Sequence, residues 1–401
     1  MRIVFITGLY PVDNLSYYRN NVKGHSLQYA ANEFQWRILE GMFHNQVDIY
    51  VLSLPFLPCY PSYAKMRTDN SNIYCENVTV GKTIAYCTLP IVKEFSMKFR
   101  LRRELVSYCR RYKNEQIYVL TYNSLGFMQE AVKPLKKKFN IKLCSIITDL
   151  IDDATNPVFK LSFAKYVQAK LEQKTIWQSY RYTDKFILLS KYMTEKIKES
   201  INNNIVVEGI APPNIIVPVK LKSERVLVYT GAIAKFAGIE NLLEAFMATE
   251  DMNFRLVICG SGPLNNYVEE CVKLDSRIEF RGSVAHEEAV SLQREAFALI
   301  NPRLPSISLT RYSFPSKTIE YLMSGTPMIG YKLDGIPDEY HEHMFIPSNE
   351  SVEKLQETIA YVLNNDPWEM MRKAQKAQSF IYENKTAIKQ CRRIIDFIAK
   401  V

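Results

Sequence analysis

The sequence predicts an α/β protein built from two doubly wound domains with parallel sheets. Short apolar runs of strand length alternate with segments of helical periodicity along most of the 401 residues. This alternation is typical of parallel sheets covered by helices on both faces. The length allows two domains with full cores, and 47% hydrophobic and 23% charged residues is an ordinary globular composition.

The first domain is predicted from four strands, separated by helices such as "SLQYAANEFQWRILEGMF"; the strands are "RIVFITG", "VDIYVLSLP", "IYVLTYN" and "KLCSIITD". Two further apolar runs follow, "DKFILLS" and "IVVEGIAPP". The pattern restarts in a second domain, whose strands are "RVLVYTG", "NFRLVICG", "RIEFRG", "AFALINP" and "TPMIGYK".

The proline-containing segment Glu208–Lys220 is the best candidate for a hinge. We therefore predict domains over 1–207 and 208–384, with a last helix over about 385–401 as a candidate to pack back on the first domain. Doubly wound domains bind ligands at the carboxyl ends of their strands, so a cleft there is expected to hold a nucleotide and a partner molecule.

The composition argues against several kinds of protein. Gly8 and Pro11 interrupt the apolar start too early for a signal peptide, and no window reaches the roughly 18 apolar residues of a membrane helix. We therefore expect a cytoplasmic protein. The eight cysteines are scattered without a C-x-x-C pair, as reduced packed thiols are. No D-x-D pair offers carboxylates to a metal, and His341 and His343 suit either a metal site or a polar loop.

The net charge of +9 is unevenly distributed. Lys93–Lys113 holds eight basic residues against two glutamates, with aromatic and aliphatic residues between them, and a second basic cluster starts at Lys133. Such a helix is either a solvated face or a surface that contacts an anionic membrane. Nucleic acid is disfavoured because no recognised binding motif accompanies the charge.

In the second domain, four loops after strands each lead into a helix. Two of these loops contain Gly231 and Gly262, and the last one, "NPRLPSISLTRYSFPSK", enters "TIEYLMSGTPMIG". Glycines let a ligand approach the backbone, and helix N-termini offer N–H groups to anions. Ser316, Lys317 and Glu320 crowd the start of the last helix, where a lysine opposes the helix dipole unless an anion binds. A site for a nucleoside diphosphate is predicted here.

From about Arg225 to Asp366 the chain resembles the carboxyl-terminal half of family 4 glycosyltransferases, which have the GT-B fold. The matching segments are "YTGAI…GIENLLEAF", "VICGSGP", "IEFRGSVAHEE", "FPSKTIEYLMSGTPMIG" and "DGIPDE". "AANEFQWRILEGM" and "IITDL" in the first half are similar to the bacterial surface-polysaccharide branch of that family.

The resemblance implies roles for particular residues. The glutamate that matches Glu320 accepts hydrogen bonds from the ribose hydroxyls of the donor, and Lys317 is then placed to face the diphosphate. The family usually has a second, sugar-contacting glutamate where this chain has Tyr312, so sugar recognition must differ. The family's first loop commonly supplies an arginine and a lysine; here Lys235 is the nearest substitute, with Arg303 as a further candidate.

Asp149, at the end of "CSIITD", is expected to orient an acceptor or sugar hydroxyl, or to cap the loop after it. Taken together, the resemblance implies a retaining, metal-independent hexosyltransferase that uses a UDP- or GDP-linked sugar, without a further cofactor. Its acceptor would be a glycan or lipid-linked oligosaccharide of bacterial capsule, O-antigen or exopolysaccharide synthesis, reached at the inner face of the membrane. The alternatives are a sugar-nucleotide epimerase of the same architecture, and a non-catalytic basic homologue that binds membranes.

Overall fold

A computed structural model describes residues 1–24, 27–150, 170, 173–211 and 218–400. The contacts divide the chain into two compact units, which we call unit 1 (Met1–Ile210 with Ala387–Val401) and unit 2 (Ala211–Thr386). The sequence-based boundary lies at 207/208, close to this division. The middle of the candidate hinge, residues 212–217, lies outside the described residues.

Unit 1 contains an eight-stranded sheet with the order β3-β4-β2-β1-β5-β6-β7-β8. Its strands are β1 (Arg2–Thr7), β2 (Asp48–Ser53), β3 (Asn72–Cys75), β4 (Val78–Thr83), β5 (Ile117–Tyr122), β6 (Ile141–Ile147), β7 (Lys185–Leu188) and β8 (Asn204–Val206). All neighbours pair in parallel except β3 and β4, which form an antiparallel hairpin at one edge.

The helices of unit 1 cover both faces of this sheet. They are α1 (Leu15–Asn21), α2 (Tyr29–His44), α3 (Val92–Arg111), α4 (Gly126–Val132) and the last helix of the chain, Ala387–Ala399, with a further helical stretch over 173–179. Helix α2 and the last helix share one apolar core, in which Leu39 and Ile394 are buried. Helices α3 and α4 share the core on the opposite face, with Leu101 and Met128.

Unit 2 contains a six-stranded, all-parallel sheet with the order β11-β10-β9-β12-β13-β14. Its strands are β9 (Val226–Thr230), β10 (Arg255–Cys259), β11 (Ile278–Gly282), β12 (Ala298–Asn301), β13 (Met328–Gly330) and β14 (Met344–Phe345). Runs such as "VLVYT" and "ALIN" are buried along nearly their whole length, as strands covered on both faces are.

Unit 2 has seven further helices in the part of the chain that the structure describes, apart from short 3-10 turns. They are α5 (Ile239–Met247), α6 (Asn265–Leu274), α7 (His286–Glu295), α8 (Lys317–Met323), α9 (Asp338–His341), α10 (Val352–Asn364) and α11 (Pro367–Asn384); the last helix of the chain is α12. Helix α8 begins two residues after Pro315 and buries Ile319 and Leu322, while Glu320 stays partly exposed.

No helix among the described residues is both long enough and apolar enough to cross a membrane.

Candidate active site

Four loops lie at the carboxyl edge of the sheet in unit 2, after β9, β10, β11 and β12. The first two interlock closely. A Cβ on Gly231 would lie 2.5 Å from the Tyr229 hydroxyl and 2.7 Å from Lys317 Cε, and a Cβ on Gly262 would lie 2.3 Å from the Ile233 carbonyl oxygen. Gly262 therefore needs glycine because main-chain atoms already occupy the space of a side chain, while a side chain at Gly231 would have to displace the ends of Tyr229 and Lys317.

The N–H groups of these two glycines are already bonded within the protein. The Gly231 N–H donates to the Cys259 carbonyl at 2.8 Å, and the Gly262 N–H donates to Asn265 Oδ1 at 2.8 Å. These two N–H groups therefore already have partners, and the binding of a diphosphate by the loops around Gly231 and Gly262 stays a prediction. What the glycines provide is room for the side chains beside them.

Two cationic side chains, Lys317 and Arg303, gather at this edge. Burial lowers the pKa of Lys317, and the nearby Arg303 lowers it further while Glu320 opposes the shift. Burial also lowers the pKa of Arg303, with Tyr229 opposing. Positive charges that protein atoms partly shield from water attract an anion more strongly than exposed ones do.

Glu320 lies one turn after Lys317 on α8. Its Oε1 accepts a hydrogen bond from the amide of Gln293, on α7. The same amide donates to Thr230 Oγ1 at 2.9 Å, at the end of β9. The carboxylate is thus held by an amide that β9 in turn orients. It is still partly exposed, so it has acceptor positions left for a ligand.

The other predicted residues of unit 2 lie around this group. Lys235 is exposed in a 3-10 turn after Gly231. Phe236 follows Lys235 in this turn, and the centre of its ring lies 5.7 Å from the Arg303 guanidinium. Ser316 is exposed just before α8, and its side chain makes no capping bond.

Tyr312 ends the 3-10 turn Ser308–Tyr312 and is partly buried. Its neighbour Arg311 forms an ion pair with Asp334, in the loop after β13. A Cβ on Gly335 would lie 2.0 Å from the Ser313 carbonyl oxygen, so this loop packs tightly against the segment that carries Tyr312.

Asp149 lies in unit 1, just after β6, where it lines a cavity of about 500 Å³. Asn123, which follows β5, accepts from both the N–H and the hydroxyl of Thr148 at 2.9 Å, and the same hydroxyl lies 2.9 Å from Asp149 Oδ2. Lys93, at the start of α3, also lines the cavity and donates to the Leu57 carbonyl at 2.5 Å. The loop that Asp149 would cap, residues 151–169, lies outside the described residues.

In the part of the chain that the structure describes, no three His, Cys, Asp or Glu side chains lie close enough together to hold a metal ion. The His343 ring stacks on Phe380 with 4.5 Å between ring centres, and His341 Nδ1 lies 3.4 Å from Asp338.

Residues 224–365 match the family model described as "Glycosyl transferases group 1". This chain therefore carries a glycosyltransferase domain. The prediction of a glycosyltransferase is confirmed at this level, and the matched segment lies within unit 2. No curated protein matches the sequence.

Solved structures of glycosyltransferases resemble the whole chain. Sucrose-phosphate synthase from Thermosynechococcus elongatus has a TM-score of 0.64 at 13% identity, with 99% of this chain and 98% of that chain covered. Anabaena Alr3699/HepE, solved with UDP, has a TM-score of 0.63 at 11% identity, with 100% of each chain covered. WaaG, a glycosyltransferase involved in lipopolysaccharide biosynthesis, has a TM-score of 0.56 at 12% identity, again with 100% of each covered. At such identities the likeness shows the fold, and the predicted GT-B fold is confirmed.

Sequence reasoning missed part of the site in the glycosyltransferase domain. Gln293, Thr230 and Tyr321 are all buried and join Glu320 in one hydrogen-bonded group. The sequence does contain one signal for this group, which is a glutamine among the inward positions of α7. A buried amide needs hydrogen-bond partners, so Gln293 indicates that other polar groups lie close to it. The sequence alone does not say that those partners lie on β9 and α8.

Proposed function

We propose that this chain is a retaining, metal-independent glycosyltransferase of family 4 that uses a UDP- or GDP-linked sugar. One observation carries the proposal: partly buried Lys317 and Arg303 lie at the loop of Gly231, and Glu320 is held one turn away by Gln293. A cationic pocket beside a fixed carboxylate suits a ligand with two phosphates and a ribose.

In this proposal Glu320 accepts hydrogen bonds from the ribose hydroxyls. Arg303 and Lys317 bind the diphosphate, and the exposed Lys235 meets it from the loop after β9. Charge-assisted hydrogen bonds of this kind are roughly twice as strong as neutral ones, so these contacts would supply most of the donor affinity.

The same cations act on the chemical step. When the bond between the sugar and the diphosphate breaks, negative charge grows on the leaving phosphate and the sugar becomes oxocarbenium-like. Charges that are already in place stabilise that state without reorganisation. The leaving phosphate oxygen then takes the proton of the acceptor hydroxyl as the new glycosidic bond forms on the same face of the sugar. No strong protein base is required for this step.

We assign the acceptor to the cavity of unit 1 that Asp149 lines. A carboxylate, an amide and an ammonium group surround it, from Asp149, Asn123 and Lys93. Such groups bind sugar hydroxyls, and in this proposal Asp149 orients one of them. A glycan or lipid-linked oligosaccharide of bacterial capsule, O-antigen or exopolysaccharide synthesis is the acceptor class that we propose.

We also propose that α3 brings the enzyme to the inner face of the cell membrane. Ile91 precedes the helix and is 93% exposed; Phe95 and Phe99 on it are 66% and 59% exposed. Phe95 and Phe99 are four apart and so lie on one helix face, with the exposed Ile91 just before the first turn. Lys98 and Arg102 lie beside these apolar side chains, on the side of α3 that faces α4. Lys98 forms an ion pair with the Glu130 carboxylate, and Arg102 donates to the Glu130 main-chain carbonyl. Apolar side chains beside basic ones suit an anionic lipid surface.

The experiment that tests this function is a melting-temperature panel with UDP, GDP and ADP, followed by transfer assays with the corresponding sugars. We expect one nucleotide to raise the melting temperature clearly and its sugar to be transferred with retention of anomeric configuration. A chelator should leave transfer intact. Inversion of configuration, or loss of activity that manganese or magnesium restores, would contradict the proposal; binding without transfer would indicate an inactive homologue.

A further inference from the structure

Gln293 is a buried polar residue at the back of the candidate donor site. It lies near the end of α7, and 1% of it is exposed. Burying an amide without hydrogen bonds is costly, so its bonds indicate why it is tolerated there.

Both hydrogens of the Gln293 amide are used. One bond goes to Thr230 Oγ1 at 2.9 Å, and the other goes to Glu320 Oε1. An ionised carboxylate can only accept hydrogen bonds, so the nitrogen of the amide must face Glu320. This fixes the orientation of the amide and leaves it no further hydrogen to donate.

The partners of Gln293 are themselves fixed. The Thr230 N–H donates to the Tyr321 hydroxyl at 3.0 Å, and the two hydroxyl oxygens lie 3.1 Å apart. The Thr326 hydroxyl donates to the main-chain carbonyl of Gln293 at 2.7 Å. Gln293 is thus held at both its main chain and its side chain, as a rigid support for a carboxylate requires.

We propose that Gln293 is a positioning residue for the nucleoside of the donor. By holding Oε1 of Glu320 it turns the remaining acceptor positions of the carboxylate toward the 2′ and 3′ hydroxyls of the ribose. This inference rests on the proposed function and explains how the site would select the pentose of the nucleoside. The protein distinguishes ribose from deoxyribose because the Glu320 carboxylate cannot turn away from the ribose hydroxyls. Without Gln293, Glu320 would still be present, but it would not be pre-organised.

The test compares the affinities for UDP and 2′,3′-dideoxy-UDP, and for the GDP pair, in three forms of the full chain. The wild type should prefer the ribonucleotide. Gln293→Met keeps the shape but removes both donated bonds, so the preference should fall by at least about tenfold, the value of one charge-assisted bond. Affinity for the dideoxy nucleotide should be nearly unchanged.

Gln293→Glu supplies a readout that loss of structure alone would not give. Two adjacent carboxylates share a proton, so at low pH the new acid can donate to Glu320 as the amide did. At higher pH both are ionised and repel each other. The ribose preference of Gln293→Glu should therefore approach that of the wild type as the pH falls, while that of Gln293→Met should stay low at every pH.

Gln378→Met is the matched control. Gln378 is a buried glutamine that donates to the Met323 carbonyl at 3.1 Å, at the opposite end of α8. Its loss should lower the melting temperature but leave the ribose preference as in the wild type.

The outcomes separate two failures. If the wild type binds neither nucleotide pair, the proposed function is wrong and the inference falls with it. If the wild type prefers ribose and folded Gln293→Met retains the full preference, the proposed function survives and the positioning role is overturned. Loss of preference in Gln378→Met as well would overturn it too, because the effect would then be general destabilisation.

Discussion

Lys317 passes directly beside Gly231, at a distance that leaves no room for a methyl group. A Cβ on Gly231 would lie 2.7 Å from Lys317 Cε, closer than real carbon atoms approach. In this conformation the Lys317 side chain uses the space that a side chain at position 231 would fill. This contact joins the loop after β9 to the helix that carries Glu320.

We expect Gly231→Ala to displace Lys317 and Tyr229. Overpacking of this kind costs about 1–3 kcal/mol of unfolding free energy, and the affinity for a nucleoside diphosphate should fall because Lys317 no longer holds its position. Denaturant unfolding and calorimetric titration measure the two effects. Gly126→Ala in unit 1, where a Cβ would meet only Thr175 at 3.2 Å, is the control and should leave nucleotide affinity unchanged. Unchanged affinity in Gly231→Ala would argue against a phosphate role for Lys317.

The second prediction concerns pH. Burial lowers the pKa of Lys317 below its ordinary value of 10.5, so the free protein begins to lose this charge at a lower pH than an exposed lysine would. A bound diphosphate favours the charged form and raises the pKa again. Between the pKa of the free state and that of the bound state, binding should therefore take up protons, and affinity should decrease as the pH rises through this range.

Calorimetric titration in two buffers with different ionisation heats measures that proton uptake. In Lys317→Met the uptake should disappear. Lys235→Met should keep it, because Lys235 is exposed. Equal uptake in the wild type and in Lys317→Met would assign the proton to another group.

The third prediction concerns Tyr312, which stands where the resemblance places a sugar-contacting glutamate. Tyr312→Phe removes only a hydroxyl, so affinity for the bare nucleoside diphosphate should be nearly unchanged. The ratio of kcat/KM values between two donor sugars should change, because a site that bonds a sugar hydroxyl discriminates against sugars that lack it. A changed affinity for the bare diphosphate, with an unchanged sugar ratio, would mean that Tyr312 contacts the nucleotide instead.

The fourth prediction concerns the exposed face of α3. The double substitution Phe95→Ser and Phe99→Ser should weaken binding to anionic vesicles, because it removes the apolar side chains. The wild type should bind neutral vesicles less tightly than anionic ones, since each basic group near an anionic surface contributes about 1 kcal/mol. Vesicle sedimentation measures both. Leu274→Ser is the control, since Leu274 is 81% exposed in unit 2. If the wild type binds neutral and anionic vesicles equally, α3 is only a solvated face.

The sheets were largely predictable from the sequence because their strands are continuous apolar runs. β1, β2, β5, β6 and most strands of unit 2 follow the predicted segments. The hairpin of β3 and β4 was missed, because its turn is made by Glu76 and Asn77, both with positive φ. Turns of this kind are usually recognised by a glycine, and here none is present.

The site was predictable only where its residues are neighbours in sequence. Lys317 and Glu320 lie one turn apart on a helix, so their proximity follows from helical geometry. The bond from Gln293 to Glu320 spans 27 positions and that from Thr230 to Tyr321 spans 91, so both depend on the tertiary fold. The partners of the Gly231 and Gly262 N–H groups also become visible only in the folded chain.

Calorimetric titration of Glu320→Gln with UDP and GDP tests the proposed donor site most directly. The substitution keeps the shape and removes the charge and one acceptor, so affinity for the preferred diphosphate should fall by at least about tenfold. The fold should survive, because Glu320 is partly exposed and Ile319 and Leu322 form the buried face of α8. Glu279→Gln, an exposed glutamate paired with Arg281, is the control and should bind as the wild type does. If folded Glu320→Gln binds the diphosphate as tightly as the wild type, Glu320 does not hold the ribose and the proposed donor site is wrong.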